Sequence, residues 1–208
     1  MTTTSDAGLP AEILEARRVR LETLLQVASR EFDLKLALGE VDRVGGGRIA
    51  MRFDAREAMA ASYLALKGGG LHLLGHYLSE SEAALAAALT EEEGGRPHFV
   101  ALWHALEDAR LENGMLRRWP GMGRAFEARL LPALGGSLLR LAPLSQQLEI
   151  GIYSMGRGRP TENLRDVVLA ALRKSASWIA EGAQSDRPEG SLAAMRAIYP
   201  EVAGLLRG

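Results

Sequence analysis

The chain of 208 residues contains no cysteine and only four histidines, His72, His76, His98 and His104. The first absence excludes disulfides and thiolate metal sites, so any transition-metal centre must be assembled from His, Asp and Glu. An excess of charge is missing too: 25 Lys and Arg stand against 26 Asp and Glu, a net charge of -1. No overall field attracts a polyanion, and nucleic acid is not expected as a partner. Aromatic residues are scarce at 5%. No apolar run approaches the roughly 20 residues of a membrane span, so no membrane partner is expected. The start, Met1-Thr2-Thr3-Thr4-Ser5-Asp6, shows neither the basic nor the apolar stretch of a secretory signal, and a cytoplasmic protein is the expectation.

What the sequence does have is Ala, Leu, Arg and Glu, the residues of helices packed through small and branched aliphatic side chains. Its length suffices to bury a core without staples. Residues 1–9 read as a loose tail. From Pro10 to Phe32, Ile13, Leu14, Leu21, Leu24, Leu25 and Ala28 recur at helical spacing. The period then shortens. Leu34, Leu36 and Leu38, and beyond Val44-Gly45-Gly46-Gly47 also Ile49, Met51 and Phe53, alternate with polar or small residues, which predicts two strands joined as a β-hairpin.

Asp54 and Glu57 have the spacing of a capping box for a helix starting near Ala55 and ending before Gly68-Gly69-Gly70, which marks a break or a close approach of backbones. Helices follow over Leu71–Leu89, His98–Trp119, Gly123–Leu131, Leu144–Met155 and Thr161–Ala180. The last carries Leu164, Val167, Val168, Ala171, Leu172 and Trp178 on one stripe. Glu91 to Pro97 reads as an exposed loop, and Arg157 and Arg159 as solvated cations in a turn that could hold an anion. The expected class is mainly α with one small β-hairpin (α+β), in one helical domain over residues 10–184. A linker, Ser185 to Gly190, opens a C-terminal helical appendage over 185–208.

Chemistry concentrates at Leu71-His72-Leu73-Leu74-Gly75-His76. On a helix, residues four apart share a face, the spacing that lets two imidazoles reach one divalent ion, as in H-E-x-x-H. Leu73 stands where that motif places the glutamate that accepts a proton from metal-bound water. The other reading of the pair is two partly buried, hydrogen-bonded histidines. A second stretch, Leu106-Glu107-Asp108-Ala109-Arg110-Leu111-Glu112, puts Glu107 at the edge of the apolar face with Asp108 and Glu112 pointing away. Glu107 can supply a third ligand or pair with Arg110 at i,i+3. Asp108, Arg110, Glu112 and His104 on the same predicted helix are supporting or alternative groups.

The hairpin, the His72/His76 helix and the E-D-A-R-x-E string ahead of Arg117-Arg118-Trp119-Pro120-Gly121 together resemble the zincin-like helical N-terminal region of bacterial von Willebrand factor A proteins that work with MoxR-type AAA+ ATPases. The nitric-oxide-reductase and Rubisco activation proteins and cobaltochelatase large-subunit relatives belong to that group. The resemblance runs from Leu34 to Met155. It implies a zincin-like fold, zinc as the metal, His72, His76 and Glu107 as ligand positions, and an ATPase partner. No D-x-S-x-S motif of a von Willebrand domain occurs in the sequence. With Leu73 in the base position, the expectation is a metallopeptidase-related domain without proteolytic activity that acts in binding or assembly. A metal-free helical interaction module and a zinc hydrolase with an unconventional base are the alternatives.

Overall fold

The structure is a computed structural model, described for residues 11–39, 42–52, 63–134, 137–161 and 163–206. The expected tail and the Asp54/Glu57 capping box lie outside these residues. The chain divides into two compact units, Met1–Leu78 with Gly121–Leu130, and Ser79–Pro120 with Leu131–Gly208. Helices predominate and there is one small sheet, the mainly-α, α+β class expected.

In the first unit, α1 (Ala11–Ser29) buries Leu21, Leu25 and Ala28. It packs along β1 (Lys35–Gly39), the edge of a three-stranded sheet with β2 (Arg43–Gly45) and β3 (Arg48–Arg52). The sheet order is β1-β3-β2. The hairpin is therefore formed by β2 and β3, with Val44 opposite Ile49, whereas β1 lies parallel to β3, with Leu36 opposite Ile49. This corrects the expected pairing of 34–38 with 49–53 as a hairpin. Gly46 and Gly47 both adopt left-handed φ values, 56° and 71°, the backbone of a two-residue hairpin turn. Such a turn joins only its immediate flanks, so the earlier strand takes the free edge of β3.

The outer edge of β1 is covered by polar side chains of α1. Arg18 Nη1 donates to Leu36 O at 3.0 Å, Leu36 N donates to Glu22 Oε2 at 2.8 Å, and Gln26 Nε2 donates to Leu34 O at 2.9 Å.

Helix α2 (Tyr63–Ser79) runs straight through Gly68-Gly69-Gly70; the triple glycine is not a break. A Cβ at Gly68 would stand 2.1 Å from the carbonyl oxygen of Ala125. That residue lies in α6 (Gly123–Leu134). The glycine thus serves close packing of backbones, the other role glycine fills.

In the second unit, Glu80 takes a left-handed φ of 51° and begins α3 (Ser81–Ala88), so the expected helix over 71–89 is two. The expected acidic loop contains a short helix, α4 (Glu91–Gly94), started by a capping box between Thr90 and Glu93. Glu93 is buried and takes two hydrogen bonds from Arg196, at 2.6 and 3.0 Å.

The central helix is α5 (Phe99–Arg118), against which α7 (Leu144–Gly156), α9 (Ala176–Gln184) and α10 (Pro188–Val202) pack. The predicted helix 161–180 is also two, α8 (Asp166–Lys174) and α9, separated at Ser175. Val167 and Trp178 are half-exposed instead of lining a common inward stripe; for Trp178 the break at Ser175 resets the helical phase. The expected linker ends at Pro188, the first residue of α10, where its missing N–H costs nothing. Leu192, Met195, Ile198 and Val202 of that helix are core residues, and Pro200 lies within it near its end. Among the described residues no helix is long and apolar enough to cross a membrane.

Candidate metal-binding residues

The paired histidines occupy the middle of α2, in a stretch from Leu71 to His76 that is buried throughout. His72 is 9% exposed and His76 8%. One turn apart, their ring centroids lie 4.9 Å from each other in an edge-to-face arrangement. The helical spacing read from the sequence is therefore present. Leu73, at the position of the missing base, is a buried aliphatic side chain that neither accepts nor donates a proton.

Helix α5 presents the acidic residues. Glu107 is fully buried, and each of its oxygens is held by two donors. Oε1 accepts from Arg110 Nη2 at 2.6 Å and Ser81 Oγ at 2.5 Å; Oε2 accepts from Arg110 Nε at 2.7 Å and Ser191 Oγ at 2.6 Å. Burial pushes the Glu107 carboxyl up, but the Arg110 guanidinium and the two serines outweigh it and hold the group below its ordinary range. Arg110, 5% exposed on its side chain, completes its bonds with Ser79 Oγ at 2.5 Å and Asp186 O at 3.2 Å.

Glu112 does not point away as its helical phase suggested. It is fully buried, accepts from the Tyr153 hydroxyl at 2.5 Å and lies 3.3 Å from Arg157 Nε. Arg157, expected to face water, is 5% exposed on its side chain. The helical wheel misplaced Glu112 because α5 is covered on most of its circumference, so phase alone does not separate inward from outward acids. His104 is more open, with Nδ1 3.7 Å from Glu82. His98 sits in a left-handed conformation just ahead of α5.

His72 and His76 put two imidazole donors on one face of α2, a pair that could contribute to holding a metal ion. Sequence reasoning favoured Glu107 as a third ligand and kept Asp108 as an alternative; the Glu107 carboxylate is taken up by Arg110, Ser81 and Ser191. Ser81, Ser191 and Tyr153 were missed, and nothing in their local sequence marks a serine or tyrosine that serves a distant carboxylate. No family model, curated protein or solved structure matches the chain.

Proposed function

We propose that this protein is a metal-binding domain of zincin-like descent that binds or assembles instead of cleaving. His72 and His76, one turn apart on α2, act as its ligands. The reading rests above all on the buried imidazole pair, one helical turn apart with rings 4.9 Å between centroids. A shared cation would use both imidazoles. The bound ion would supply Lewis acidity and structural cross-linking. Leu73 gives it no proton acceptor, which argues for a structural use. An ATPase partner of the MoxR type and a cytoplasmic setting follow from the resemblance and composition, and belong to the same proposal.

Zinc content of protein purified without chelator tests the reading. We expect close to one equivalent per chain, lost in His72→Ala and His76→Ala, with a melting temperature that rises on adding zinc and falls with chelator. Less than about a tenth of an equivalent, unchanged by either substitution, removes the metal from the proposal. Casein hydrolysis abolished by His76→Ala would overturn the non-catalytic part.

A further inference from the structure

A second feature lies within the second unit. Asn113 and Arg117 near the end of α5, the Gly156-Arg157-Gly158 turn after α7, and Gln184 and Asp186 after α9 line an open polar cleft of about 720 Å³. That volume falls within the range of small-molecule sites. We propose that the cleft binds a small oxyanion, a carboxylate or a phosphate, with Arg117 as the contacting cation and Asp186 as the group the ligand displaces.

Three helices end here, and free carbonyls at their ends would favour a cation instead. Several of those carbonyls are already in use. Asn113 Nδ2 donates to Gly156 O at 2.9 Å and Ala183 O at 3.0 Å. The nitrogens of Arg157, Gly158 and Arg159 bond to Tyr153, Met155 and Ser154 carbonyls at 2.8 to 2.9 Å.

The charges that remain are mainly positive. The segments 112–118, 156–159 and 184–187 carry Arg117, Arg118, Arg157, Arg159 and Arg187 against Glu112 and Asp186. Arg157 is fixed as a floor: its guanidinium bonds to Asn113 Oδ1 and lies beside buried Glu112. Arg117 differs. Its side chain is 52% exposed and pairs with Asp186, 95% exposed, at 3.4 Å. A pair that open and that long is screened by water and holds little energy. Arg110 anchors the Asp186 backbone oxygen, so the carboxylate can swing out while the chain stays in place. A ligand oxyanion with two oxygens can meet the guanidinium fork in two parallel hydrogen bonds, which Asp186 at this distance does not.

Calorimetric titration of the full chain with inorganic phosphate and, separately, with succinate tests the proposal at moderate salt. We expect saturable one-site binding of at least one probe, and the stronger one identifies the headgroup. Arg117→Ala should weaken it roughly tenfold or more, the effect of losing a charge-assisted bond. Asp186→Asn should tighten it, and Arg173→Ala, which removes an exposed cation of α8, should leave it unchanged. No saturable binding of either probe, equal weakening by Arg117→Ala and Arg173→Ala, or weaker binding in Asp186→Asn would each overturn the assignment.

Discussion

Arg110 grips both oxygens of Glu107 from one turn further along α5, at 2.6 and 2.7 Å, with the carboxylate fully buried and the guanidinium nearly so. Serines from α3 and α10 close the remaining positions on the carboxylate. Removing one partner strands the other charge without water, and such losses cost about 3–5 kcal/mol. Glu107→Leu should therefore shift the urea midpoint strongly downward with little change in slope. Adding Arg110→Met should recover much of the loss, because the pair itself contributes little net stability.

Arg196, foremost through its hydrogen bonds, holds the Glu93 carboxyl down to about 2 from an ordinary 4.5, against the upward push of burial. A folded-state pKa below the unfolded one means the stabilisation is complete above 4.5 and is lost as pH falls toward 2. Unfolding free energy measured from pH 6 to 2.5 should decline less steeply in Glu93→Gln than in the parent. Equal slopes would show that the pair is not linked to folding.

Gly68→Ala sets two effects against each other. Alanine favours a helix interior over glycine by about 1 kcal/mol. The new methyl would meet Ala125 O at 2.1 Å, and overpacking that forces backbone apart costs about 1–3 kcal/mol or more. Because the obstacle is backbone, the clash should win and the melting temperature should fall. Gly121→Ala, where a Cβ meets nothing within 4 Å, provides the comparison.

The histidine spacing was legible because it is a local property of one helix: four residues make one turn wherever that helix ends up. The class was legible for a similar reason, since Leu and Ala at helical spacing recur along most of the chain. Pairing in the sheet was not. Alternation marks Leu36, Ile49 and Met51 as strand residues facing a core, yet does not say that β1 runs parallel to β3. Helix breaks at Glu80 and Ser175 escaped notice because neither residue is a glycine or proline. The inward Glu107 and its i,i+3 pair with Arg110 were legible, again as local helix geometry. The burial of Glu112 against Tyr153, and the serines on Glu107, escaped for a tertiary reason: their helix is surrounded, and its partners lie as far away in sequence as Ser191.

The bonds from Arg18, Glu22 and Gln26 to β1 give the sheet a finished border. An uncovered strand offers its row of N–H and C=O groups to any passing chain, which is how sheets recruit one another into aggregates. Here the first helix is the guard against that recruitment. A chain shortened to begin after Ser29 would lose more than a packing partner: it would present an adhesive margin, and its tendency to clump should grow with concentration.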